Sequence, residues 1–180
     1  MKSILVAIVN YGSDQLDFLQ KVIDTLRSFE KYKVTIVVNS NVPLPGVQGI
    51  DKINVLELYN GPFNFRQLLF KLKFRKRWDG SLYTYKLLPM TCRRVIDQES
   101  ENFDYFLFTE NDHLWLEHHV NRFIEYENIL PENRISGLIQ YEKDETGMYF
   151  PAYHDDYDWD YDSVEEYGGK KFAHFTNINQ

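Results

Sequence analysis

Two short runs of branched apolar residues, with one helical repeat between them, constrain this chain more than any other feature. Ile4 to Val9 is continuously apolar, as expected of a strand covered on both faces. Asn10-Tyr11-Gly12-Ser13 breaks the run. Leu16, Leu19, Val22, Ile23, Leu26 and Phe29 then recur at helical spacing, predicting a helix capped by Ser13 or Asp14. Val34 to Val38 is a second buried strand, ended by Asn39-Ser40-Asn41. Such a strand–helix–strand unit closes with parallel strands and a right-handed crossover.

The alternation continues. A Pro- and Gly-bearing loop precedes a third strand over Ile53 to Leu58. Residues 62–82 mix apolar and basic side chains without a clean period. Leu87 to Gln98 reads as a helix, with Pro89 near its start and Leu88, Cys92, Val95 and Ile96 on one face. Tyr105 to Phe108 is read as a buried strand, followed by a helix over 117–129 and a strand over 134–141. Little regular structure is expected beyond Gly147. The pattern predicts an α/β fold, a mostly parallel central sheet flanked by helices, in one domain over 1–180. The chain stops at Asn177-Ile178-Asn179-Gln180 without a capping or polar-tail pattern, which raises the expectation of a fragment truncated there.

Charge and cysteine content narrow the classes of function. A net charge of −7 argues against a general nucleic-acid binder, which needs a broad basic surface. Cys92 is the single cysteine, so no internal disulfide can form, and a reducing, cytoplasmic setting is expected. No run approaches the roughly 20 apolar residues of a membrane span. Aromatic residues reach 16%, which suits stacking on sugars or bases as well as core packing.

In open parallel sheets, ligands bind beyond the carboxyl ends of the strands. Three such ends carry polar groups here: Asn10-Tyr11, Asn39-Ser40-Asn41 and Glu110-Asn111-Asp112. Turn chemistry alone accounts for the asparagines. The carboxylates that leave a strongly hydrophobic strand ask for more. In extended chain, residues i and i+2 point to one side, so Glu110 and Asp112 can converge on one cation while Asn111 faces elsewhere. Mg²⁺ and Mn²⁺ take such oxygen ligands and keep positions open for phosphate oxygens.

Ile4 to Tyr11, Val37-Val38-Asn39-Ser40-Asn41, and Asp104 through Thr109-Glu110-Asn111-Asp112-His113 together resemble the nucleotide-sugar glycosyltransferases of the GT-A fold. The last of these looks like the strand that leads into their DxD-type motif. The resemblance implies a Rossmann-like GT-A architecture, with a nucleotide-sugar-binding half over 1–112 and an acceptor-side half over 113–180. It implies that Asp112 binds Mn²⁺ or Mg²⁺ with Glu110 contributing to metal or ribose, and that Asn10, Tyr11 and Asn39 line the base and ribose pocket. A carboxyl-terminal histidine ligates the metal in some of these enzymes, which makes His174 a candidate and His154 its alternative. Two departures stand out: Glu replaces the first Asp of the motif, and Asn rather than Asp stands at position 39. The second leaves open whether the donor is a UDP- or a GDP-sugar.

Arg93 and Arg94 could reach a diphosphate from the preceding helix, although a solvated helix face explains them equally. The basic and aromatic stretch from Arg66 to Trp78 could meet an anionic membrane as a peripheral contact, or sit as a half-buried helix with a basic rim. A hydroxyl acceptor on a glycan, lipid or protein needs a general base in an inverting reaction. Glu142, Asp144, Asp155 and Asp156 qualify by type, and Glu142 and Asp155 are taken as the catalytic candidates. Two other readings stay open: a non-catalytic carbohydrate-binding module, and a metal-dependent sugar nucleotidyltransferase. The nucleotidyltransferase would usually carry a Gly-rich basic loop after the first strand, which Asn10 to Asp14 lacks.

Overall fold

β1 (Lys2–Asn10) and β2 (Tyr32–Ser40) lie side by side in parallel register, Ile4 opposite Val34 and Asn10 opposite Ser40. The computed structural model describes residues 1–56, 88–138, 140–151 and 159–175. β3 (Lys52–Val55) pairs parallel with β2, and β4 (Tyr105–Glu110) pairs parallel with β1. The sheet therefore runs β3-β2-β1-β4, every pair parallel, with helices α1 (Leu16–Arg27) and α2 (Leu88–Gln98) in the connections. β1 to β2 steps one way across the sheet and β3 to β4 the other. Right-handed crossovers put α1 and α2 on opposite faces, an α/β arrangement compatible with a Rossmann-like fold.

The core follows from this layering. Ile4 through Val9 are all buried, because β1 is central and covered on both faces. Leu19, Val22, Ile23 and Leu26 are the buried stripe of α1. On the other face Ala7 and Val9 pack with Leu88 and Cys92 of α2, and Leu56 and Ile96 join their edge. Arg27 fastens the last turn of α1, its guanidinium donating to the carbonyls of Gly49 and Val34 and to Asp51 at 2.6–2.8 Å.

Residues Met1–Glu117 form one unit and His118–Gln180 a second. Helix α3 spans Glu117–Ile129, as its sequence pattern predicts. The second unit holds two antiparallel hairpins, β5 (Tyr141–Lys143) with β6 (Tyr149–Pro151) and β7 (Trp159–Tyr167) with β8 (Lys170–Phe175).

Four sequence expectations are corrected. The α1 cap is Gln15 without a side-chain bond, because the Ser13 hydroxyl turns to the Asp14 carboxylate instead. β4 is not buried: among the described residues it has a neighbour on one side only, and Phe106 and Phe108 stand 36% and 44% exposed. The strand expected over 134–141 does not form over 134–138. There the Glu127 carboxylate takes the Ser136 N–H and hydroxyl at 2.6 and 2.7 Å, and the Arg134 N–H turns back to Pro131. The described residues beyond Gly147 are mostly strand rather than irregular, over Tyr149–Pro151, Trp159–Tyr167 and Lys170–Phe175. Gly168 and Gly169, both at positive φ (55° and 75°), make the two-residue turn that favours a right-twisted hairpin. The basic stretch Arg66 to Trp78 and the end of the third predicted strand lie outside the described residues.

Candidate functional site

The carboxyl edge of the sheet is built from side-chain amides. The backbone ladder between β1 and β4 ends with Val9 opposite Glu110. The next two residues, Asn10 and Asn111, are joined by their side chains: Asn111 Nδ2 donates to Asn10 Oδ1 at 2.8 Å. Asn10 Nδ2 in turn donates to the Gly12 carbonyl at 2.9 Å and to Ser40 Oγ at 3.0 Å. A second chain runs from β3 to α2. Asn54 Nδ2 donates to Asn39 Oδ1 at 2.8 Å, Asn39 Nδ2 to Thr91 Oγ1 at 2.6 Å, and the Thr91 hydroxyl to the Leu88 carbonyl. Asn10, Asn39 and Asn111 are all buried, and these bonds remove the penalty of burying their amides.

Glu110, Asp112 and His113 emerge from this edge. One ligand atom from each lies within 4.8 Å of the other two. The carboxylates converge as the i, i+2 spacing predicts, but not through extended chain. Asn111 and Asp112 already form a turn, which brings the His113 N–H back to the Glu110 carbonyl at 3.3 Å. His113 Nε2 stands 3.7 Å from Asp112 Oδ1. Bonds of about 2.1 Å to a small divalent ion put adjacent octahedral donors about 3.0 Å apart, so the side chains must draw together by an ångström or two. Glu110 and Asp112 are exposed and His113 half-buried, which leaves room for that movement. Two carboxylates and an imidazole suit Mn²⁺ better than Mg²⁺, which favours oxygen ligands alone. The family resemblance points instead to a distant histidine, His174 or His154. The pointer to His113 was its adjacency to the acidic pair, which becomes meaningful only once the turn folds it back.

The other predicted residues are distributed as follows. Tyr11 follows β1 directly and is exposed, whereas Asn10 and Asn39, the other two residues assigned to base and ribose, are buried. Arg93 lies on the exposed side of α2. Arg94 lines a cavity of about 740 Å³ between α2 and β3, into which Asn39, Asn54 and Thr91 also face; Glu110, Asp112 and His113 are not among its described lining residues. In the second unit Glu142 is exposed on β5. Asp144 is held by the β5–β6 turn, accepting from the Thr146 hydroxyl and from the Thr146 and Met148 N–H groups. The Thr146 hydroxyl bond comes first among the causes that depress its carboxyl below the usual range. The backbone of His174 pairs with Asp160 in the β7–β8 hairpin. Asp155, Asp156, His154 and the His174 side chain lie outside what is described.

No helix among the described residues is long and apolar enough to cross a membrane. No family model, no curated protein and no solved structure matches this chain.

Proposed function

We propose that this chain is a metal-dependent glycosyltransferase of GT-A architecture, moving a sugar from a UDP- or GDP-sugar to a hydroxyl acceptor on a glycan, lipid or protein. The observation that carries the reading is the convergence of Glu110, Asp112 and His113 at the end of β4. That is the edge at which a parallel sheet of order β3-β2-β1-β4 reverses direction, where open α/β sheets bind their ligands. The motif resemblance of the same residues supports it independently of the geometry.

In this reading Asp112 and Glu110 supply oxygen ligands and His113 a nitrogen to Mn²⁺, or less favourably Mg²⁺. The chemistry gained is neutralisation of charge developing on the diphosphate leaving group. Tyr11 offers its ring to the base, and Arg93 offers a guanidinium to the phosphates. Glu142 and Asp155 remain the candidates for the base that deprotonates the acceptor hydroxyl.

The test is thermal unfolding with UDP, GDP and their sugars, each with and without Mn²⁺. A ligand at 100 times its dissociation constant stabilises the fold by about 2.7 kcal/mol, a shift of several degrees. The expected result is a shift with one nucleotide that requires Mn²⁺ and disappears in Asp112→Ala. No shift with any nucleotide, alongside a shift with free glycans, would replace the transferase with a carbohydrate-binding module.

A further inference from the structure

The geometry points to Asn111, seated on Asn10, as the positioning residue that aims the acidic cluster, an inference that rests on reading Glu110, Asp112 and His113 as a cation site. Backbone pairing between β1 and β4 stops at Val9 and Glu110. One residue further on, the Asn10–Asn111 side-chain bond continues the register that the backbones abandon. It spans the place where the connections of the sheet diverge in opposite directions.

The bond acts on the direction of the neighbouring side chains. Asn111 is buried and faces into the sheet edge, while the residues on either side of it are exposed. Pinning the middle residue of Glu110-Asn111-Asp112 inward leaves both flanking carboxylates outward, within 4.8 Å of each other and of His113.

The anchor is itself fixed. Both Asn10 Nδ2 bonds are made, to Gly12 and Ser40, so Oδ1 is held facing Asn111. Ser40 Oγ also accepts the Val42 N–H at 3.2 Å, and Asn41 Oδ1 accepts the Gly12 N–H at 2.7 Å. The turn after β4 is thereby tied through β1 to the loop after β2. An apolar residue at 111 would fill the space but leave Asn10 Oδ1 buried without a donor, and would supply no fixed direction.

The experiment titrates Mn²⁺ alone into the full chain, following loss of the free-ion electron paramagnetic resonance spectrum, at a temperature where each variant is folded. The comparison covers wild type, Asn111→Ala, Asn10→Ala and the double variant. We expect Asn111→Ala to weaken Mn²⁺ binding about 10- to 100-fold, as loss of an orienting outer partner does at other metal sites. The bound-ion spectrum should broaden, which a loss of stability alone would not produce. The double variant should bind no more weakly than Asn111→Ala, because the two residues act as one unit. Asn111→Ser keeps a hydroxyl too short to reach Asn10 and carries the same comparison if Asn111→Ala does not fold. A folded variant that binds Mn²⁺ within twofold of wild type, with the same spectrum, overturns the positioning role alone. A wild-type chain that binds no Mn²⁺ overturns the metal reading and this inference with it.

Discussion

Ser3 and Asp104 hold each other reciprocally across 101 positions of sequence: the Ser3 hydroxyl donates to Asp104 Oδ2 at 2.9 Å and accepts the Asp104 N–H at 3.1 Å. The Ser3 N–H adds a 2.8 Å bond to the same carboxylate oxygen, and Lys2 Nζ reaches the other at 2.6 Å. This clamp sits where β1 and β4 begin, and the Asn10–Asn111 bond closes the pair where they end. Between them they fix the register that sets Glu110 beside Val9.

The clamp makes stability depend on acid. The Lys2 ammonium, followed by the Ser3 N–H and hydroxyl, holds the Asp104 carboxyl well below the usual carboxylate range. A carboxylate depressed in the folded state contributes stability that is fully present above its unfolded value of about 3.9. That contribution is lost as pH falls from there towards the folded value. Asp104→Asn should melt below wild type at pH 7, and the gap should shrink steadily below pH of about 4. A gap that stays constant down to pH of about 2 would separate the clamp from the acid limb.

A substitution in the core tests the sheet-facing stripe of α1. Ile23 is fully buried, so Ile23→Ala should cost about 2–5 kcal/mol in urea unfolding. A cost under about 1 kcal/mol would mean that the helix face is less closely packed than the structure describes.

The β7–β8 turn separates two neighbouring glycines. A Cβ at Gly168, at φ +55°, would stand 3.3 Å from the Ile129 side chain, whereas at Gly169 nothing lies within 4 Å. Left-handed backbone costs an ordinary L-residue about 1–2 kcal/mol, and asparagine less. Gly168→Val should therefore speed hydrogen exchange of the hairpin amides by tenfold or more, while Gly169→Asn changes it little. Equal effects at the two positions would argue against the turn described.

Cys92 should be chemically silent. It is buried against Ala7, Val9 and Leu88, and burial pushes its thiol up to about 12. Native protein at pH 8 should resist a thiol-specific disulfide reagent for hours and react within seconds once unfolded in guanidinium. Prompt reaction of the native chain would show that α2 opens readily from the sheet.

The sequence by itself determined the elements whose patterns are local. Branched runs at β1 and β2, the stripe of α1 and the lengths of α2 and α3 were legible because a buried strand and an amphipathic helix each impose their own period. The convergence of Glu110 and Asp112 was legible for a similar reason, since neighbours in sequence need little of the fold to meet. The Gly168-Gly169 pair carries a local turn pattern too, but its flanking strands are rich in acidic residues and do not sustain the alternation that marks a half-buried strand.

Tertiary structure alone decided what depends on distant partners. Nothing local says that Ser136 gives its N–H to Glu127 rather than to a strand, or that β4 lies at the edge of the described sheet with two phenylalanines half exposed. The asparagines show the limit most clearly. Asn10, Asn39 and Asn111 read as polar groups at strand ends, equally suited to a ligand or to a turn. Their direction was fixed by partners as many as 101 positions away, which turned all three inward to bond with the protein itself. Hydrogen-bond geometry belongs to pairs of atoms brought together by the fold, whereas hydrophobic periodicity is already written in one stretch of chain.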